Sequence, residues 1–190
     1  MTELFNMLGS VHPLADELRL RLLDKAPPTK LRANIVYHKE GEVCRKLAFI
    51  KSGIMKVCFE PEDSGERTLW LLKENDIIGS MYSYYNKVPS LLTIRTVTPV
   101  ELHVMSKEEI DLAYRDFQPF NINGRILTEH YYGLLELHAV LLVMSARQRF
   151  HAVQKHLPWL FTDKRIKKYM LASFLNIAPQ TLSKFLGERR

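Results

Sequence analysis

The hydrophobic rhythm of this 190-residue chain changes three times. Between about Thr29 and Met105, short apolar or alternating runs such as 46–59, 68–72 and 92–105 are separated by turn-forming residues. The breaks fall at Lys39-Glu40-Gly41, Lys51-Ser52-Gly53, Glu62-Asp63-Ser64-Gly65, Glu74-Asn75-Asp76 and Thr98-Pro99. Short strands at that spacing predict an antiparallel barrel or sandwich. Ahead of them, Leu14, Leu18 and Leu22 recur at helical intervals between Pro13 and Leu23, and Pro27-Pro28 stops that helix.

From Asn121 to Lys155 the rhythm becomes helical, without proline and with Gly124 and Gly133 as the only glycines, so one long helix is predicted. Leu127, Leu134 and Leu141 recur every seven residues, with Leu137 and Met144 three positions after the second and third. This spacing predicts a short coiled-coil seam and a homodimer. Leu135 and Leu142 add a second apolar flank, so one flank can lie on the barrel and the other on a partner.

After Pro158, Phe161-Thr162-Asp163 offers a polar cap, and a helix is predicted from Lys164 to Leu175. Asn176-Ile177-Ala178 reads as a tight turn, and a second helix is predicted from Pro179 to Gly187, with proline suited to its first position. Leu171, Leu175, Ile177, Leu182 and Phe185 have the spacing of a shared core, and Ala172 is small where the two helices cross. Asn176 tolerates the left-handed backbone such a turn needs.

Charge sharpens this division. The net +6 is uneven: residues 1–146 hold 17 basic and 19 acidic side chains, residues 147–190 hold 10 and 2. A basic block beside a near-neutral one suggests a polyanion-binding module joined to something else. The block is too rich in apolar residues to be a solvated tail. On the second helix the core positions leave Gln180, Thr181, Ser183 and Lys184 outward, side chains able to bond base edges or phosphates. Lys164, Arg165, Lys167, Lys168, Arg189 and Arg190 are candidates for neutralising phosphates.

Other chemistry finds less support. The histidines are scattered, and His38-Lys39-Glu40 lacks the His-x-His of a cupin metal site, which disfavours a small-barrel metalloenzyme. No nucleophile triad or phosphate loop is recognisable, so no catalytic residue and no metal ligand is assigned. Cys44 and Cys58 lack metal-binding spacing and read as ordinary strand residues. No apolar run reaches the ~20 residues of a membrane span. Residues 1–10 lack the features of a signal peptide, so a cytoplasmic location is expected.

Two stretches carry a family resemblance. The run from Ala172 to Lys184, Ala-Ser-Phe-Leu-Asn-Ile-Ala-Pro-Gln-Thr-Leu-Ser-Lys, resembles the helix-turn-helix of the Crp/Fnr family of bacterial regulators. The run from Tyr37 to Val57, with Gly41 and Gly53 at turn positions, is similar to the opening of that family's β-roll sensor, and Asn75-Asp-Ile-Ile-Gly-Ser80 continues it. The resemblance spans roughly residues 30–187. It implies an α+β fold: an N-terminal antiparallel β-roll (jelly roll) over 1–120, a dimerisation helix over 121–156 and a helix-turn-helix domain over 157–190. It further implies a dimeric, sequence-specific transcription regulator that binds double-stranded DNA, with RNA polymerase and a small-molecule effector as further candidate partners.

The chain departs from the family in four respects. Ala178 stands where a Ser or Thr caps the recognition helix, and Pro179 stands where relatives that read a G·C pair carry arginine. The chain ends shortly after that helix, so no hairpin wing is expected. The family's cyclic-nucleotide cassette requires a glutamate after its glycine and, about ten residues on, Arg-Ser. Here Ser80 follows Gly79, and Ser90-Leu91 or Pro89-Ser90 replaces Arg-Ser. Without a guanidinium, a buried phosphate loses its fork of donors, and Arg95 lies too far along to substitute. Gly79, Ser80, Tyr82, Ser83 and Ser90 remain the expected lining of an effector pocket. Two alternatives stay open: a ligand-independent DNA-binding protein, and a regulator that still binds a cyclic nucleotide. No cofactor is assigned.

Overall fold

The computed structural model describes residues 1–62 and 65–188. Helices α1 (Thr2–Val11) and α2 (Asp16–Lys25) precede eight strands: β1 (Pro28–Leu31), β2 (Val36–His38), β3 (Lys46–Ser52), β4 (Met55–Phe59), β5 (Arg67–Leu72), β6 (Ile77–Ile78), β7 (Thr93–Thr96) and β8 (Val100–Ser106). A short helix, α3 (Met81–Asn86), interrupts them between β6 and β7. There follow α4 (Lys107–Asp116), α5 (Phe120–Val143), α6 (Ala146–His156), α7 (Trp159–Thr162), α8 (Lys168–Phe174) and α9 (Pro179–Gly187).

Two four-stranded antiparallel sheets, ordered β1-β8-β3-β6 and β2-β7-β4-β5, form the β-roll. The interrupted strand pattern predicted an antiparallel barrel or sandwich, and the family resemblance implied the β-roll. Gly53 turns β3 into β4 at φ +96, and a Cβ there would sit 2.3 Å from the Pro99 carbonyl oxygen, so no other residue fits. Alternation along β3 separates two cores. Ala48 and Ile50 face the roll interior with Ile78, Ile94 and Leu102. Phe49 faces the other way, with Ile77, onto a layer built by α1, α2, α4 and the start of α5.

The single helix expected from Asn121 to Lys155 is two helices. Met144 leaves α5 with ψ 150, and Ser145 starts α6 with a capping box. Its hydroxyl accepts from the Gln148 amide, while Gln148 Oε1 accepts from the Ser145 amide at 3.0 Å. Two otherwise orphaned donors are satisfied locally, which favours a new helix start over continuation. The helix expected from Lys164 begins instead at Lys168. The Asp163 carboxylate accepts the Arg165 amide at 2.9 Å and holds residues 163–166 in turns. Among the described residues, no helix is long and apolar enough to cross a membrane.

Candidate functional site

The end of α8 closes with a Schellman motif. Asn176 takes φ 49, its amide donates to Ser173 O at 3.0 Å, and the Ile177 amide donates to Ala172 O at 3.0 Å. The turn residue anticipated for left-handed backbone thus holds it. Leu171, Ala172, Leu175 and Leu182 are buried in one cluster, with Ile177 and Phe185 packed on it. That burial orients α9. Gln180, Ser183 and Lys184 are exposed, whereas Thr181 is half-buried and presents less of itself than expected. Ala178 caps α9 without a side-chain bond, and Pro179 opens the helix.

Lys164, Lys167 and Lys168 are exposed beside this unit, and Arg189 and Arg190 lie outside the described residues. Arg165 is the exception among the candidate phosphate contacts. Its guanidinium holds Glu74 through Nη1 at 2.5 Å and Nη2 at 3.0 Å, and Asp163 at 2.7 Å. It is therefore committed to the protein, not free for DNA. The Arg165 guanidinium holds the Glu74 carboxyl down to about 2. The same carboxylate accepts the Gly53 amide at 2.8 Å, so it ties the β3–β4 turn to the C-terminal unit.

Further contacts dock α8 on β5. The Thr68 amide donates to Ser173 Oγ at 2.9 Å, and Arg67 donates to Asn176 Oδ1 at 2.8 Å. Trp70 lies against His138 at 4.7 Å between ring centroids and against Phe174 at 6.5 Å. Burial there lowers the His138 pKa. Local pattern could not reveal these contacts, because their partners are 91 to 109 residues apart in every hydrogen-bonded case.

The leucine stripe expected at a dimer seam packs within the chain. Leu141 is buried in the C-terminal cluster with Leu137 and Met144 against it, Leu127 lies against the N-terminal cluster, and Leu134 is half-buried. The reason is the docked C-terminal unit, which claims the end of α5. The outward flank is the second one, with Tyr132, Leu135, Leu142 and Val143 all exposed.

The expected effector residues do not converge on one pocket. Ser80, Ser83 and Ser90 are 1%, 0% and 2% exposed. Ser90 Oγ lies 2.9 Å from Ser80 Oγ and 2.9 Å from the Leu92 carbonyl, and accepts the Leu92 amide at 3.0 Å. Ser83 donates to Val88 O at 2.5 Å and accepts from the Cys44 amide at 2.8 Å. A Cβ at Gly79 would meet Leu47 at 2.5 Å. These hydroxyls stitch the loop to itself and, through the Cys44 amide, to the segment before β3. Arg95 is also engaged, bonding Glu60 at 2.9 Å. Of the five residues, Tyr82 lines a cavity, and that cavity lies on the outer side of the sheet.

Similarity to known proteins agrees with this architecture. A family model for the cyclic nucleotide-binding domain matches residues 28–116. Among solved structures, the chain is similar to the c-di-GMP responsive global regulator CLP of Xanthomonas campestris, at 16% identity over 92% of this chain and 91% of that one, with a TM-score of 0.67. It is similar to the catabolite activator protein of Thermus thermophilus at 22% identity over 96% and 85%, TM-score 0.59. A Eubacterium rectale protein assigned to the Crp/Fnr family matches at 16% over 96% and 87%, TM-score 0.69. No curated protein matches by sequence. The chain thus shares the fold of these solved structures, with a cyclic nucleotide-binding-type domain over residues 28–116.

Proposed function

We propose that the chain is a dimeric, sequence-specific DNA-binding transcription regulator, and not an enzyme. The observation that carries this reading is α9. One face is buried through Leu182, and the other presents Gln180, Ser183 and Lys184 to solvent, while the exposed Lys164, Lys167 and Lys168 lie just before and at the start of α8. Gln and Lys can read adenine and guanine edges in a major groove, while the flanking lysines neutralise phosphates. This reading keeps the three domains expected from sequence, with the dimer helix shortened to α5.

Dimerisation runs through the outward flank of α5 in this reading. Tyr132 and Ala139, and Leu135 and Leu142, repeat at seven-residue spacing on that flank. A two-fold dimer then presents two α9 helices to half-sites about one DNA turn apart, ~34 Å. The closed serine network favours regulation without cyclic AMP. Burying its phosphate there would cost several kcal/mol for want of a cationic partner (~3–5 kcal/mol).

Selection from a random duplex library, followed by footprinting of enriched sites, tests the proposal. Enriched sites are expected to be pseudo-palindromic, with protected half-sites one turn apart. Enrichment without two-fold symmetry would refute the dimeric arrangement, and no enrichment at all would refute sequence-specific regulation.

A further inference from the structure

The outer face of the sensor sheet carries a cavity of about 300 Å³ between β3, β6, α3, α4 and α5. Its floor is Leu47 and Ile77, on the face opposite the residues that fill the roll interior. Five tyrosines surround it: Tyr82 and Tyr85 from α3, Tyr114 from α4, and Tyr131 and Tyr132 from α5. The buried serines of the cassette loop are not part of it.

We propose that this cavity is a binding site for a neutral, flat, largely aromatic small molecule. Its volume is at the lower end of the range for small-molecule pockets, ~300–1,000 Å³. None of its lining residues carries a charge at neutral pH. Burial pushes the Tyr114 and Tyr131 hydroxyls up to about 12, so they stay protonated. A charged ligand would lose its water shell without gaining a counter-charge, which selects against nucleotides and for neutral molecules. Aromatic rings arrayed around an apolar floor favour a planar ligand through offset and edge-to-face contacts.

Two local features look built to keep this space. Gly124 on α5 leaves room for the Tyr114 ring, because a Cβ there would lie 2.4 Å from the Tyr114 hydroxyl oxygen. The Tyr131 hydroxyl accepts the Ile77 amide at 2.7 Å, fixing the distance between α5 and the sheet. At the mouth, Tyr82 and Tyr85 remain 64% and 60% exposed, while Tyr132 stands on the α5 flank given above to the partner copy. Large aromatic surfaces left open around one apolar cavity gain burial when a flat ligand enters. As a means of regulation the site rests on the DNA-binding reading. Its route to the DNA-binding unit is α5, which lines the cavity through Leu127 and reaches the C-terminal cluster through Leu141.

The test is a fluorescence titration, without DNA, with N-phenyl-1-naphthylamine and its sulfonated counterpart 8-anilinonaphthalene-1-sulfonate. The neutral probe is expected to bind saturably, one per chain, and the anion at least about tenfold more weakly. Met81→Trp and Thr128→Phe, both on lining residues, should each weaken the neutral probe about tenfold or more while far-ultraviolet dichroism is unchanged. Leu91→Ala, at an exposed apolar residue away from the cavity, should leave binding intact. Non-saturable binding, equal affinity for the two probes, or undiminished binding in both filled variants would overturn the site. So would binding only at concentrations that dissociate the dimer, since a second copy would then be the occupant. Because no DNA is present, failure here leaves the DNA-binding reading standing, and failed library selection leaves the titration result standing.

Discussion

Residues 79–90 and residues 176–188 were both marked by family resemblance as binding segments, and both are rich in small polar side chains. They meet opposite fates. In the first, Ser80, Ser83 and Ser90 are buried and bonded to one another or to nearby backbone. In the second, Gln180, Ser183 and Lys184 stand in solvent on a helix anchored by Leu182. A buried hydroxyl with its bonds made contributes to the fold and has little left to offer a ligand. An exposed polar row on a fixed helix keeps its donors and acceptors for a partner. Composition marks a segment as polar, but burial decides whether its polarity is available.

The sharpest way to break this contrast is to place the same cation in both segments. Ser90→Arg buries a guanidinium without a partner and should cost ~3–5 kcal/mol in chemical denaturation. Ser183→Arg on the exposed face should stay within ~0.5 kcal/mol of the parent. Similar costs would mean the cassette loop is open.

A second pair lies on α5, where adjacent leucines face opposite ways. Leu141→Ala removes a buried side chain and should destabilise the chain by ~2–5 kcal/mol. Leu142→Lys should leave unfolding nearly unchanged and shift sedimentation from dimer toward monomer. Dimer loss from Leu141→Ala with none from Leu142→Lys would restore the original leucine stripe as the seam.

Smaller effects concern the joint between roll and C-terminal unit. Glu74 ionises well below its ordinary 4.5 when folded, at about 2. Its carboxylate therefore stabilises the folded form fully above pH 4.5 and progressively less as pH falls toward 2. The pair is partly exposed, so screening keeps the contribution of Glu74→Gln below ~1 kcal/mol at neutral pH. The effect should vanish near pH 2 in denaturation curves of parent and variant. The smallest expected effect is none: cyclic AMP at millimolar concentration should leave the melting temperature unmoved. A ligand at 100 times its dissociation constant would add ~2.7 kcal/mol.

Much of this architecture was legible because its signals are local. Whereas the turn at Asn34 between β1 and β2 was not read, the strand breaks expected at Gly53 and Asn75 fall on turn residues whose positive φ the structure shows. Asn176 was readable for the same reason. The break between α5 and α6 was also local, in Ser145 and Gln148, but the absence of proline outweighed a capping pair. What could not be read was pairing across the fold. Arg165 looks like a phosphate contact until Glu74, 91 residues away, occupies it. The two apolar flanks of α5 look alike until the docked α6–α9 unit takes one of them. Nor does any sequence motif mark the tyrosine-lined cavity, whose walls come from five separate elements.

The central claim is that α9 reads base sequence, and the ratio of affinities for a selected site and for scrambled DNA at one salt concentration measures it directly. A sequence-reading dimer should favour the selected site by ~10³-fold or more. Lys184→Ala should lower that ratio through a loss of ~1–3 kcal/mol on the selected site alone, whereas Lys168→Ala weakens both DNAs about equally. A ratio near one, or a Lys184→Ala variant with the parent's ratio, would show that this surface binds polyanions without reading them.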